Sequence, residues 1–118
     1  MITIFGIKNC DTCRAARKWL EEEGLAHRFH DFRTDGLGSE MLDEWIAALG
    51  WETLLNRRGT TWRKLPEADR EKIGPESAAT LMLANPTLIK RPVFDLGGVF
   101  VVGFKEAEKA RIRETGRA

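Results

Sequence analysis

Residues 1–32 read MITIFGIKNCDTCRAARKWLEEEGLAHRFHDF, and their pattern predicts a strand, a helix and a second strand. Ile2 to Phe5 is an apolar run of strand length, and Asp11 to Glu23 places apolar side chains on one helical stripe that stops at Gly24. Leu25 to Phe32 has the composition of a second strand. Because a helix connects the two predicted strands, we expect them to be parallel and joined by a right-handed crossover.

The rest of the chain predicts a block of helices, a hairpin and a last helix. The block contains four helical segments, some bounded by glycine or proline. They are Ser39 to Leu49, Trp51 to Leu55, Glu67 to Ile73 and Glu76 to Ala84. A glycine pair, Gly97-Gly98, separates two strand-like runs, Pro92 to Leu96 and Val99 to Val102, and predicts an antiparallel hairpin. With a final helix from Lys105 to Glu114, the order βαβ, helices, ββα indicates an α/β fold.

Length and composition indicate one soluble domain. The chain has 118 residues, of which 42% are hydrophobic, enough to bury a core. Its net charge of +1 argues against non-specific nucleic-acid binding, and no window has the length of a membrane span. The first residues lack the pattern of a secretory signal, so we expect a cytoplasmic protein. A C-x-x-C pair in that reducing compartment is more often catalytic, regulatory or metal-binding than a structural disulfide.

The two cysteines, Cys10 and Cys13, lie where the first predicted strand meets the first helix. Unpaired N–H groups at a helix N-terminus stabilise a thiolate; Lys8 and Arg14 add positive charge, and Asp11 opposes it. We therefore predict that the pKa of Cys10 lies below that of a free thiol and that Cys10 is a nucleophile. Cys13 has two interpretations: a thiol that resolves a mixed disulfide, or a small buried hydrophobe on the apolar stripe of the helix.

A zinc site is an alternative use of these cysteines, because Cys10, Cys13, His27 and His30 follow the order C-x2-C-x13-H-x2-H. The histidine spacing is shorter than the three to five residues that zinc sites normally have. If the segment is a strand, His27 and His30 also point to opposite faces. We therefore predict no metal centre.

Longer motifs extend along nearly the whole chain. They are GIKNCDT at 6–12, FHDFR at 29–33, LLN at 54–56, RGTTWRKL at 58–65 and IKRPV at 89–93. In order and spacing they resemble the arsenate reductase (ArsC) related family, most closely its YffB branch of small glutathione-dependent thiol reductases. The resemblance implies a thioredoxin/glutaredoxin-like mixed sheet in a single domain over 1–118. Its core would be 1–35 and 87–118, and its helical insert 38–86.

The resemblance also implies roles for individual residues. Cys10 matches the family's nucleophilic cysteine, Arg91 matches an anion-binding arginine, and Pro92 matches the cis-proline that faces the active cysteine in thioredoxin-like folds. Without the resemblance, Arg91-Pro92 indicates the start of an edge strand with a solvated arginine. Three further candidates for substrate or anion binding belong to the matching motifs: Asn9, Arg58 and Arg63.

Two departures distinguish the chain from the arsenate-reducing members of the family. Those members bind the oxyanion with three arginines, but here Asn56 stands at the first position and Val102-Gly103-Phe104 at the third. Neither supplies the charge and bidentate geometry of a guanidinium, so arsenate is not the expected substrate. Many relatives also lack a cysteine at position 13, whereas Spx-type transcription regulators of the family carry C-x-x-C as a redox switch.

Together with these features, the resemblance implies a glutathione-dependent thiol-disulfide oxidoreductase that is a monomer, has no bound cofactor and uses glutathione as co-substrate. Its other partners would be a small thiol or disulfide substrate, a glutaredoxin or a client protein, with no membrane and no direct nucleic-acid contact. Two alternatives remain open: an arsenate reductase, and an Spx-type regulator that binds RNA polymerase.

Overall fold

A mixed sheet of four strands runs through the computed structural model, which describes residues 1–116. Its strands are β1 (Ile2–Gly6), β2 (His27–Asp31), β3 (Val93–Asp95) and β4 (Phe100–Val102), in the order β2-β1-β3-β4. β1 pairs with β2 in parallel, β1 with β3 antiparallel, and β3 with β4 antiparallel. The predicted parallel pair and the predicted hairpin are confirmed.

The first helix, α1 (Asp11–Glu22), buries the stripe that its sequence predicts. Cys13, Ala16 and Leu20 are its buried residues, at the spacing of one helical face. Ala16 and Leu20 belong to a core cluster with apolar residues of β1, β3, β4 and the last helix, α7 (Glu106–Gly116). Gly24, with a φ of 69°, follows α1 in the left-handed conformation that glycine adopts readily. The apolar face of α1 therefore fixes the start of this helix, and the cysteines with it, against the sheet.

The chain divides into two compact units, one formed by Met1–Gly36 and the chain from Arg91 onward, the other by Leu37–Lys90. The second unit includes residues 87–90, which the sequence analysis assigns to the core, because Leu55 bridges to Ile89 and the Leu88 carbonyl accepts the Asn56 N–H at 2.7 Å. Residues 117–118, the end of the predicted domain, lie outside the described residues. The second unit's helical elements in the described chain are α2 (Ser39–Leu49), α3 (Trp51–Leu54), α4 (Thr60–Lys64), α5 (Glu67–Glu71), α6 (Pro75–Ala84) and a 3₁₀ turn, Pro86–Leu88.

Several bounds differ from the sequence prediction by one or two residues, as in α5, which ends at Glu71 and not at Ile73. Two differences from the prediction have a clear physical cause. The helix α4 is not predicted, because TTWRK begins with β-branched residues and has no apolar stripe. A tertiary contact holds it, since the Thr61 and Thr87 hydroxyls lie 2.7 Å apart. β2 begins at His27 instead of Leu25, because the Leu25 N–H is bonded to the Leu20 carbonyl at the end of α1 (3.0 Å).

The longest helix of the described residues, α1, has 12 residues. A spanning helix needs about 20 apolar residues. In the part of the chain that the structure describes, no helix has the length and apolar character to cross a bilayer.

Candidate active site

Cys10 lies at the N-terminal end of α1, where the loop from β1 meets the helix. Its N–H donates to the Ile7 carbonyl (3.1 Å), and its carbonyl accepts the Arg14 N–H (3.0 Å) in the first bond of the helix. Cys10 is partly exposed, Cys13 is buried, and both are free thiols. A sulfur that a substrate can reach and a second, inner sulfur thus lie within one turn of the helix.

The pKa of Cys10 is lowered by its neighbours. Partial burial by itself raises the pKa of this thiol. Hydrogen bonding to the thiolate from the backbone N–H and the thiol of Cys13 and from the Arg91 guanidinium, together with the charge of Arg91, outweighs that burial. The predicted direction is confirmed, and Cys10 is disposed to ionise more readily than an ordinary thiol.

The cationic side chain that lowers the pKa of Cys10 is Arg91, and not Lys8 or Arg14 as predicted from the sequence. Arg14 donates from Nη2 to Asp11 Oδ1 at 2.8 Å, and its side chain is 59% exposed. Its charge is therefore screened by water and by its own carboxylate partner. Strand pairing in the sheet brings Arg91 close to Cys10. The charged residues that flank Cys10 in the sequence therefore do not reveal this neighbour.

Arg91 and Pro92 immediately precede β3. Val93 of β3 pairs with Phe5 of β1, so the start of β3 lies beside the end of β1 from which the Cys10 loop departs. The Arg91–Pro92 peptide bond is cis, the geometry that the resemblance implies, and the Pro92 carbonyl accepts the Gly103 N–H at 2.9 Å. The hydrogen bond of Arg91 to Cys10 favours an anion-binding arginine over a solvated one.

Cys13 is held in its protonated form. Burial raises the pKa of this thiol to about 12, and the neighbouring Cys10 thiolate raises it as well, against hydrogen bonding from the backbone at Ile7 and the charge of Arg91. Its sulfur lies directly over Gly6, where a Cβ atom would collide with Cys13 Sγ. At neutral pH the pair therefore consists of an outer Cys10, disposed to ionise, and an inner Cys13 thiol that donates to it.

Three predicted binding residues remain: Asn9, Arg58 and Arg63. Asn9 is exposed in the loop before Cys10. Arg58 and Arg63 belong to the second unit, where Arg63 Nη2 donates to the Arg58 carbonyl at 3.0 Å. Beside them the Arg57 guanidinium lies 5.8 Å and 5.7 Å from the ring centroids of Trp51 and Trp62. The anion-binding roles of Asn9, Arg58 and Arg63 stay predictions.

Asp31 is a residue near the cysteine loop that the sequence analysis does not single out. It ends β2, is only 3% exposed, and accepts the Lys8 N–H at Oδ2 (2.9 Å). Its Oδ1 accepts the N–H groups of Arg33 (2.7 Å) and Thr34 (3.2 Å). Burial raises the pKa of Asp31, but these hydrogen bonds and the charge of Lys8 lower it by a larger amount, so the pKa lies below its usual value. The sequence signals for it are its place in the FHDFR motif at 29–33 and an acidic residue at the end of a half-buried strand.

The histidines of the zinc alternative have partners of their own. His27 Nδ1 lies 2.9 Å from the Leu25 carbonyl, and His30 Nε2 lies 2.7 Å from the Gly36 carbonyl. Within residues 1–116, no three side chains of His, Cys, Asp or Glu come together as a metal site. In His27 and in His30, one ring nitrogen already lies at hydrogen-bond distance from a backbone carbonyl.

The sheet order β2-β1-β3-β4 and the cysteine at the start of α1 are those of a thioredoxin-like protein. The sequence model of the ArsC family matches residues 5–112, and the chain belongs to this family. The resemblance and the thioredoxin-like fold predicted from the sequence are confirmed.

Two solved structures and one curated relative show which proteins within this family the chain is similar to. A protein called YffB is 48% identical, with a TM-score of 0.88, and the match covers 94% of this chain and 97% of that one. An arsenate reductase (ArsC) related protein from Brucella melitensis is 50% identical, with a TM-score of 0.79, over 93% and 92% of the two chains. A global transcriptional regulator Spx from Streptococcus agalactiae is 31% identical over 92% of this chain and 80% of the regulator.

Proposed function

We propose that this protein is a thiol-disulfide oxidoreductase that uses glutathione and has Cys10 as its nucleophile. One observation carries the proposal: Cys10 is accessible at the N-terminus of α1, and its thiolate accepts hydrogen bonds from Arg91 and Cys13. An accessible thiol whose pKa is lowered by a cation is the form that attacks disulfides. The reducing cytoplasm expected from the sequence would supply the glutathione.

The first step is a thiol-disulfide exchange. The Cys10 thiolate attacks the glutathione sulfur of oxidised glutathione or of a client that carries glutathione; the S–S bond breaks, a Cys10–glutathione mixed disulfide forms, and the other half of the disulfide leaves as a thiolate that takes up a proton. The negative charge on Cys10 is then gone. Because that charge is one of the factors that raise the pKa of Cys13, the inner thiol becomes easier to ionise at this point.

Two second steps are chemically open. In the dithiol route the Cys13 thiol loses its proton, its thiolate attacks Cys10 Sγ, a Cys10–Cys13 disulfide forms, and the second glutathione leaves. In the monothiol route an external glutathione thiolate attacks the bound glutathione sulfur, which regenerates the Cys10 thiolate and forms oxidised glutathione. With a glutathione-carrying client as the substrate, the net change is release of the client thiol. The burial of Cys13 is compatible with its being a resolving thiol or a packing residue.

Intact-mass spectrometry after exposure to oxidised glutathione tests the proposal and separates the routes. The parent protein is compared with Cys13→Ser, and Cys10→Ser is the control that must form no adduct at position 10. A glutathione adduct that accumulates only in Cys13→Ser establishes the dithiol route, and an adduct on both proteins establishes the monothiol route. If Cys10 reacts in neither protein, the oxidoreductase proposal is wrong.

A second candidate function is a redox-sensing regulator of the Spx type, which the similarity to Spx over most of the chain favours. Here the Cys10–Cys13 disulfide would change a contact with RNA polymerase instead of completing a catalytic cycle. Binding of the purified protein to purified RNA polymerase, compared between its reduced and oxidised forms, tests this candidate. Equal failure of both forms to bind contradicts it.

Arsenate reduction is the weaker alternative. Asn56, at the position of the family's first arginine, uses its Oδ1 to accept the Arg58 N–H at 2.9 Å, which is a loop contact and supplies no positive charge. Arginine binds oxyanions through a charged bidentate fork that an amide lacks. Turnover of arsenate with glutathione and a glutaredoxin would separate this alternative from the proposal.

A further inference from the structure

The carboxylate of Asp31 joins two separate backbone segments at the end of the sheet where Cys10 lies. Asp31 pairs with Gly6 in the parallel register of β1 and β2, and the Phe32 N–H donates to the Gly6 carbonyl at 2.9 Å. The chain that leaves β1 after Gly6 carries Cys10. Asp31 is therefore the last residue of the strand next to the one that delivers the nucleophile.

The two oxygens of this carboxylate accept hydrogen bonds from two different backbone segments. Oδ2 accepts the Lys8 N–H (2.9 Å), in the middle of the loop that connects β1 to Cys10. Oδ1 accepts the N–H groups of Arg33 (2.7 Å) and Thr34 (3.2 Å), in the turn after β2. The Asp31 side chain thus links the loop that leads to Cys10 with the turn that follows β2 by hydrogen bonds.

We infer that Asp31 is a positioning residue for the nucleophile: its carboxylate holds the 7–9 loop so that Cys10 meets the hydrogen-bond donors of Cys13 and Arg91. This inference deepens the proposed function and rests on Cys10 being its nucleophile. Asp31 itself does not act on the substrate; it acts through Lys8 and the backbone that follows it to Cys10.

The substitution Asp31→Asn removes one hydrogen-bond acceptor and the charge but keeps the shape of the side chain, because an amide has one acceptor oxygen where a carboxylate has two. If that oxygen stays with Arg33 and Thr34, the amide nitrogen faces the Lys8 N–H, and two donors meet. A buried N–H without an acceptor is costly, so the loop must move to find another partner. Asp35→Asn is the matched control, since it also removes one acidic charge from the same turn, and its amide oxygen can still accept the Asp31 N–H that Asp35 Oδ2 accepts at 2.8 Å.

The test measures the rate at which iodoacetamide alkylates Cys10, by peptide mass spectrometry, as a function of pH. In Asp31→Asn we expect the pKa of Cys10 to rise and its alkylation below that pKa to slow about threefold to tenfold, since a rise of half a unit to one unit lowers the thiolate fraction by that factor. Asp35→Asn should follow the wild-type curve. Alkylation does not require glutathione, so this result is independent of whether the proposed activity is found.

Two outcomes would overturn the inference. An unchanged curve for Asp31→Asn would mean that the loop keeps Cys10 in place without the carboxylate. A fall in the pKa of Cys10 would mean that Asp31 acts on the thiol only through its negative charge. If Asp31→Asn does not fold, hydrogen exchange in the wild-type protein decides: the Lys8 N–H should be protected as strongly as the amides of β1, and a rapidly exchanging Lys8 N–H contradicts the inference.

Discussion

At the scale of single residues, the two cysteines ionise differently although they belong to one helical turn. Cys10 is partly exposed and near Arg91, so its pKa is lowered, whereas the burial of Cys13 raises its pKa to about 12. The hydrogen bond between the two sulfurs strengthens the difference, because stabilising the Cys10 thiolate requires the Cys13 proton to stay in place. An accessible nucleophile and a reserve thiol follow from these two environments.

Replacing Arg91 should make the Cys10 thiol harder to ionise. In Arg91→Gln the guanidinium charge and its hydrogen bond are lost, so we expect the pKa of Cys10 to rise by about one. Alkylation of Cys10 should then slow below its pKa and be unchanged at alkaline pH, where the thiol is ionised in both proteins. Arg14→Gln is the control: Arg14 is exposed and paired with Asp11, so its curve should match the wild type. A larger effect at Arg14 than at Arg91 would contradict this assignment.

At the scale of elements, the approach of α1 to β1 depends on a glycine at the end of the strand. Gly6 is buried, and the Cys13 sulfur occupies the space that a side chain at position 6 would need. The Cys13 Cβ lies 3.4 Å from the same point, which is a tolerable contact. The conflict is therefore specific to the sulfur, and Gly6 allows Cys13 to lie behind Cys10.

We predict that Gly6→Ala and Cys13 are energetically coupled. In the wild-type background the new methyl group must displace Cys13 Sγ, so Gly6→Ala should lower the free energy of unfolding by about 1–3 kcal/mol. In a Cys13→Ala background the same change should cost clearly less, because the sulfur is absent. Urea denaturation of the four proteins of this double-mutant cycle measures the coupling. Equal costs in both backgrounds would show that Gly6 is needed for another reason.

At the scale of the whole molecule, Asp31 connects stability to pH. Its pKa is lowered in the folded protein, whereas an aspartate in an unfolded chain ionises near about 3.9. A carboxylate of this kind stabilises the fold above the unfolded-state pKa, and the stabilisation is lost as the pH falls through the folded-state pKa. Acid should therefore weaken the fold partly by protonating Asp31.

The expected pH profile has a definite sign. At neutral pH, Asp31→Asn should be less stable than the wild type by about 1.5–3 kcal/mol, the range for hydrogen bonds to a charged group. This difference in the free energy of unfolding should begin to shrink below about pH 4, where the carboxyl of the unfolded chain takes up a proton, and should be lost as the pH falls through the lower folded-state pKa, where the folded carboxyl becomes neutral too. Denaturant titrations between neutral pH and pH 3 measure it. A difference that stays constant over this range would show that the charge of Asp31 does not contribute.

The accuracy of the sequence prediction differs between elements for physical reasons. α2 is predicted with its observed bounds, and α1 within one residue, because an apolar stripe and a glycine stop are local signals. α4 has no such stripe, and a contact between Thr61 and Thr87 stabilises it. Predictions therefore succeed where the residues that stabilise an element lie inside it and fail where they come from elsewhere.

Motifs and short-range periodicity are enough to predict the family, the α/β order of elements and the position of Cys10 at the start of a helix. The groups that surround the thiol depend on tertiary contacts. Arg91 arrives through the antiparallel pairing of β3 with β1, Asp31 through the parallel pairing of β2, and the room for Cys13 through Gly6. A pKa depends on neighbours within a few ångströms, and strand pairing brings together residues that are far apart in the chain.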